Sequence, residues 1–93
     1  MTQRVDKWLW FARFCKTRGI ATRLVESGAV RLNRVPIEKP AQIVKIGDVL
    51  TFPQGRAVRV IRVLGPGLRR GPPAEARTLY EDLDPVAPPA TEQ

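Results

Sequence analysis

The apolar residues before Gly28 recur at helical spacing, whereas those after it fall into the short runs typical of strands. The first pattern predicts a helix over residues 5–16 and a second helix that starts after the N-cap Thr17 and ends at Gly28. The apolar stripes are Val5, Leu9 and Ala12 on the first helix and Ile20, Ala21, Leu24 and Val25 on the second. The chain is therefore restricted to a pair of short helices joined by a tight turn and followed by a small sheet.

A hairpin is predicted directly after the second helix. Residues 30–32 and 35–37 flank Asn33 and Arg34, which occupy the two central positions of a tight turn. Both positions favour positive φ, where glycine has the least steric cost, so Arg34 is unusual there. It indicates either that the arginine side chain is used or that the turn is of another type.

Two longer strands are predicted at residues 49–52 and 56–64. The alternation of the second breaks at residues 60–61, which indicates a bulge or a strong twist. Arg59 and Arg62 are expected to line the outer face of this strand.

A change of composition near Gly65 divides the chain into three predicted segments. Residues 1–66 form one α+β domain, with two short N-terminal helices packed on a small antiparallel sheet. Residues 67–84 form a C-terminal extension with a short helix, and residues 85–93 form a disordered tail. The apolar positions of the extension are Ala76, Leu79, Tyr80 and Leu83.

Trp10 and Phe14 lie four residues apart, on the face of the first predicted helix opposite its main apolar stripe. Two interpretations are open for them. They stack on nucleic-acid bases, or they are covered by the apolar side chains of the extension. We favour covering, because the extension helix otherwise has no apolar surface to bury.

The basic charge is concentrated in the first part of the chain. The whole sequence has 16 Lys and Arg against 9 Asp and Glu, a formal net charge of +7, and no histidine. Residues 1–70 carry fifteen of the basic and four of the acidic residues, and residues 71–93 carry one and five. A polyanionic partner, most simply a nucleic acid, explains this bias better than a merely solubilising surface.

The chemistry required for catalysis is sparse. No histidine is available as a base or metal ligand, and the single cysteine, Cys15, excludes an intramolecular disulfide. Lys16 and Arg18 would lower the pKa of this thiol, but it has no partner base. We expect a non-enzymatic, cofactor-free protein.

The sequence also shows no secretory signal and no membrane-spanning segment, so a cytoplasmic monomer without membrane contact is expected.

An anion-binding site is predicted where the two helices meet. Lys16, Thr17 and Arg18 lie beside the N-terminus of the second helix, where free N–H groups and the helix dipole favour negative charge. The other basic residues expected to join it in one nucleic-acid-binding face are Arg4, Lys7, Arg13, Arg23, Arg31 and Arg34.

Several separated motifs occur in one order: residues 4–9, 16–18, 28–33, 39–40 and 47–48. Together they resemble the S4 RNA-binding domain over about residues 4–52. Residues 6–18 with 69–72 and 79–81 are similar to the heat shock protein 15 group, which extends the resemblance to about residue 83.

The resemblance implies an S4-type fold that grips structured RNA. It further implies association with the large ribosomal subunit (50S), particularly stalled subunits carrying peptidyl-tRNA, and a role in stress or recycling. The residues that match the RNA-facing or turn-forming positions of the motif are Arg4, Asp6, Lys7, Arg13, Lys16, Thr17, Arg18 and Asn33. Two departures are Arg34, where Gly is usual, and a C-terminal extension that is short and acidic where a longer basic tail is expected.

Two other functions remain open from the residues alone. The second helix could enter a DNA major groove and read bases through Thr22, Arg23 and Glu26. Alternatively, the aromatic and acidic C-terminal segment binds a protein partner while the basic body acts as a tether.

Overall fold

The computed structural model describes residues 2–83, so the predicted disordered tail at residues 85–93 lies outside the described residues. The helices are α1 (Val5–Phe11), α2 (Arg18–Glu26) and α3 (Pro73–Ala76), which a 3-10 turn (Arg77–Leu79) follows. The strands are β1 (Gln3–Arg4), β2 (Val30–Leu32), β3 (Val35–Ile37), β4 (Ile43–Val44), β5 (Val49–Gln54), β6 (Ala57–Val63) and β7 (Tyr80–Asp82). Over the described part of the chain, none of the helices has the length and apolar character that crossing a bilayer requires.

An antiparallel five-stranded sheet with the order β3-β2-β5-β6-β7 forms one layer, and β1 and β4 form a separate two-stranded ribbon. The helices cover one face of the sheet, which confirms the predicted α+β class. Between them lies the core, whose largest fully buried side chains are Trp8, Phe52, Leu9, Leu50, Ile61, Val5 and Val25. The buried indole of Trp8 keeps its polar group satisfied because Nε1 donates to the Gly65 carbonyl at 2.8 Å.

Of the two alternatives predicted for β6, a bulge or a strong twist, the bulge is wrong. The register of β5 and β6 is continuous from Val49 opposite Arg62 to Gln54 opposite Ala57. The apparent break arises because residues 59, 61 and 63 face the helices, while Val58 and Val60 point outward and add apolar residues to the other face.

Helix α1 is shorter than predicted and ends at Phe11 instead of Lys16. Arg13 adopts a left-handed conformation (φ 65°), and the Phe14 N–H donates to the Leu9 carbonyl at 3.0 Å, which closes the helix with a wider turn. This turn moves Phe14 from the outer face of a continuous helix into the core.

Phe14 is thereby covered on several sides. Its ring centroid lies 4.5 Å from that of Tyr80, 4.9 Å from that of Phe52 and 6.1 Å from that of Trp8. The interpretation that the extension covers Phe14 is confirmed through Tyr80. The half-buried Trp10 is covered differently, because the guanidinium of Arg70 lies 5.8 Å from its ring.

The extension forms less helix than predicted. Leu79, Tyr80 and Leu83 do not share a helical face, because Tyr80–Asp82 pairs with β6 as the edge strand of the sheet. The segment before it is held to β1 by hydrogen bonds: the Gln3 side chain bonds both polar groups of the Gly67 backbone at 2.9 and 3.0 Å. A side chain at position 67 would collide with Phe11, so this close approach requires glycine.

The turn between β2 and β3 has the predicted two-residue form, with positive φ at both Asn33 (50°) and Arg34 (76°). Asn33 stabilises it: its Oδ1 accepts the Val49 N–H at 2.9 Å and its Nδ2 donates to Asp48 Oδ1 at 3.1 Å. Arg34 is exposed and stays in a conformation that disfavours a side chain.

Truncating Phe14 tests the early end of α1. F14A removes a buried ring and should lower the free energy of unfolding by about 3–5 kcal/mol. The milder F14L should lower it by about 1 kcal/mol, which leaves a folded protein to measure. Urea denaturation monitored by circular dichroism gives both values. The control L68A truncates a side chain that is 90% exposed and should change stability by less than about 0.5 kcal/mol. If F14A behaves like L68A, Phe14 is not part of the core.

Replacing Arg34 by glycine tests the strain in the hairpin. R34G should raise the free energy of unfolding by about 1 kcal/mol, since glycine adopts positive φ without steric penalty. N33G should lower stability by about 1 kcal/mol, because it removes the hydrogen bonds to Asp48 and Val49. Thermal denaturation of both variants checks that their free energies of unfolding change in opposite directions. A destabilised R34G would show that the arginine side chain holds the turn.

Candidate nucleic-acid interface

Asp6 is buried in the first turn of α1, with only 1% of its surface exposed. Its carboxylate accepts two hydrogen bonds from Arg4, one from Nε at 3.1 Å and one from a terminal nitrogen at 3.0 Å. It also accepts the Lys7 N–H at 2.8 Å and the Thr22 hydroxyl at 3.1 Å. A terminal nitrogen of Arg18 lies 3.9 Å from the same carboxylate. We call Arg4, Asp6, Arg18 and Thr22 the Asp6 cluster.

The Asp6 cluster fixes two cations at the surface. The side chains of Arg4 and Arg18 are 45% and 43% exposed, whereas the Asp6 side chain is 2% exposed. One buried negative charge thus orients two guanidinium groups whose outer edges face solvent. Arginine side chains held in this way lose less conformational entropy when they bind an anion.

The N-terminus of α2 adds further positive potential beside Arg18. Thr17 is the N-cap, and its Oγ1 accepts the Ile20 N–H at 3.1 Å, as predicted. Arg23 folds back along the helix, because its Nη1 lies 3.8 Å from the position that a Cβ at residue 19 would occupy. The first turn of α2 is exposed, and its positive potential comes from the helix dipole together with Arg18 and Arg23.

The remaining candidates occupy other places. Lys16 is exposed in the turn before α2, and the Lys7 ammonium lies 5.5 Å from the Phe11 ring. Arg31 and Arg34 are exposed on the hairpin. Within residues 2–83, no hydrogen bond or ion pair connects these hairpin arginines to the Asp6 cluster.

Arg13 does not extend from α1 beside Arg4 and Lys7. It lies beyond the helix end, and its Nε donates to the Gly71 carbonyl at 2.6 Å, so it contacts the extension. Nearby, Cys15 is buried, and this burial raises the pKa of its thiol to about 11. The expectation that Lys16 and Arg18 lower this pKa is wrong, because desolvation of the thiolate dominates.

Sequence reasoning placed Arg59 on the outer face of the sheet, which is wrong. Its guanidinium lies 5.1 Å from the Phe14 ring centroid, pairs with Asp82 at 3.0 Å and donates to Gln54 Oε1 at 2.7 Å. The alternation of the strand could have placed Arg59 correctly. Residues 59, 61 and 63 point to the same face of a strand, and Ile61 and Val63 are buried. Arg62 does lie on the outer face, paired with Glu81 at 2.7 Å.

Comparisons with known proteins agree with this architecture. The family model described as the S4 domain matches residues 3–50. Heat shock protein 15 of Escherichia coli K12 is 43% identical over 79 residues, which cover 85% of this chain and 59% of that protein. The Haemophilus influenzae homolog is 43% identical over 82 residues, covering 87% of this chain and 61% of that protein. The chain thus spans about three fifths of the length of these curated relatives.

A solved structure gives the same assignment in three dimensions. The trimeric structure of heat shock protein 15 from Vibrio cholerae superimposes with a TM-score of 0.83 at 37% sequence identity. The match covers 99% of this chain and 89% of that one. The chain belongs to the S4 domain family and, within it, to the heat shock protein 15 group.

Proposed function

We propose that this protein binds structured RNA, and that phosphate groups contact the Asp6 cluster and the first turn of α2. The observation that carries the proposal is the buried Asp6 carboxylate, which holds the exposed guanidinium groups of Arg4 and Arg18 next to a helix N-terminus. Guanidinium groups bind phosphate through paired hydrogen bonds, and fixed groups bind it with less loss of entropy. The S4 family assignment supports RNA as the source of the phosphates.

The contacts of α2 disfavour the DNA-binding alternative. A recognition helix reads bases with free side chains in the major groove. The Thr22 hydroxyl is committed, because it donates to Asp6 at 3.1 Å and also lies 3.0 Å from the Arg18 carbonyl. Arg23 folds back towards Gly19. Helix α2 is therefore better suited to phosphate contact than to base readout.

The proposed interface has contacting and positioning residues. Asp6 is buried and Asn33 ties the hairpin turn to Asp48 and Val49, so both act by holding neighbours in place. Arg13 is proposed to contribute through the extension that it holds at Gly71. The proposed contacting residues are Arg4, Lys7, Lys16, Thr17, Arg18, Arg23, Arg31 and Arg34.

We further propose that the RNA is ribosomal and that the protein acts in the cytoplasm on the large subunit, linked to stress or to recycling of stalled subunits carrying peptidyl-tRNA. Membership of the heat shock protein 15 group supports this role. The basic body, with net charge +11 over residues 1–70, supports electrostatic association with a large RNA surface.

Removing Arg18 tests the interface. R18A should weaken binding to isolated 50S subunits about tenfold and lower the slope of log affinity against log salt by about 1, because one fixed cation is lost. Sedimentation binding at several salt concentrations measures both. The control R56A removes an exposed arginine in the turn between β5 and β6, far along the chain from the Asp6 cluster.

Three outcomes would contradict the proposal: one from this comparison of variants, one from competition with duplex DNA, and one from a deletion variant. R18A and R56A could bind equally, duplex DNA could compete as well as ribosomal RNA, or deletion of residues 72–93 could abolish 50S binding while RNA-hairpin binding persists. The last outcome would favour the adaptor alternative. Sedimentation of the free protein also tests the expected monomer against the trimer described for the Vibrio cholerae relative.

A further inference from the structure

A cavity of about 290 Å³ lies at the end of α1 opposite Asp6, where the turn after α1, the β5–β6 hairpin and the extension meet. Arginines from three different elements line it: Arg13 from the turn, Arg59 from β6 and Arg77 from the 3-10 turn. Among the described residues that line the cavity, none carries a carboxylate. Because Arg59 is paired with Asp82, the excess of positive charge in the cavity comes from Arg13 and Arg77.

Most of the donors of these arginines are free to bind a ligand. A guanidinium has five N–H donors. Arg59 uses two of its nitrogens for Asp82 and Gln54, which hold it against the Phe14 ring. Arg13 uses Nε for the Gly71 carbonyl. Arg77 is exposed and makes no side-chain hydrogen bond or ion pair within residues 2–83.

The rest of the lining is apolar except for Gln54 and includes aromatic side chains. The half-buried Tyr80 and the side chains of Ala12, Pro73 and Ala76 form the wall beside the arginines. A volume of about 290 Å³ is at the lower end of sites for small organic ligands. A ligand that suits this lining combines an anionic group with a flat, weakly polar body.

We propose that this cavity binds the phosphate of a single nucleotide, either an unpaired nucleotide of an RNA strand or a free nucleotide. The phosphate contacts Arg13 and Arg77, Arg59 contributes the N–H donors that Asp82 and Gln54 leave free, and the base lies against Tyr80. The site is separate from the Asp6 cluster, so it does not depend on the function proposed there.

Backbone amide chemical shifts of the full chain test the site. AMP, inorganic pyrophosphate and a single-stranded RNA tetranucleotide are titrated separately into wild type, R77A, R56A and R18A. Amides of Ala12, Arg13, Gln54, Ala76 and Arg77 should shift in wild type, R56A and R18A. R77A should weaken the affinity about tenfold, because a charge-assisted phosphate contact is lost, without changing the spectrum of the free protein elsewhere.

The probes distinguish the two sources of the phosphate. Saturable shifts with both AMP and the tetranucleotide support an RNA nucleotide, whereas shifts with AMP alone support a free nucleotide. Absence of shifts at these amides with all three probes, or equal affinities for R77A and R56A, would overturn the proposal. The R18A variant separates the two sites. It should lose RNA binding at the Asp6 cluster but keep the chemical-shift changes at the amides around the cavity.

Discussion

The interaction on which the surface of this protein depends is the burial of one carboxylate. Asp6 accepts hydrogen bonds from Arg4, the Lys7 backbone and Thr22 and attracts Arg18, so it links the start of α1 to the first turns of α2. Burying an unpaired carboxylate is strongly unfavourable, so a buried carboxylate requires several charged and polar partners. The partners that satisfy Asp6 inside the protein are the same arginines that face outward as cations.

The arginines of the chain serve two purposes that composition does not distinguish. Arg59 and Arg70 cover Phe14 and Trp10, and Arg70 also donates to the Trp10 and Cys15 carbonyls at 3.2 and 3.4 Å. Both side chains serve in packing: the charge of Arg59 is balanced by Asp82, whereas that of Arg70 faces backbone carbonyls. Arg69 serves the extension: its hydrogen bonds lower the pKa of Glu75. The charge available to an RNA partner is consequently smaller than the +11 of residues 1–70 suggests, because some of these arginines pair with carboxylates of the extension.

The sequence predicted correctly those elements that residues close in sequence determine. The Thr17 cap and the end of α2 near Gly28 depend on neighbouring residues and were predicted from them. The turn at Asn33 was also predicted from its neighbours, although the Asn33 side chain bonds Asp48 and Val49 farther along the chain. The end of α1 was missed because Phe14 leaves the helix to pack against Phe52 and Tyr80, which are distant in sequence. Strand β7 was missed for the same reason, since its pairing with β6 overrides the helical spacing of Leu79, Tyr80 and Leu83. Three members of the Asp6 cluster, Arg4, Asp6 and Arg18, were among the predicted candidates. Thr22 was missed, because the burial of Asp6 and its bond to Thr22 depend on how α1 packs on α2.

The RNA affinity of D6N tests the central claim most directly, because two simple accounts give opposite signs. Removing a negative charge from a basic surface should strengthen RNA binding if only net charge matters. If Asp6 orients Arg4 and Arg18, the isosteric amide should instead weaken binding, by about tenfold at moderate salt. The control E26Q removes an exposed carboxylate from the end of α2 and should leave the affinity unchanged or slightly higher. Weaker binding by D6N alone, in a protein that circular dichroism shows to be folded, agrees with the account; binding by D6N as tight as that of E26Q would contradict it.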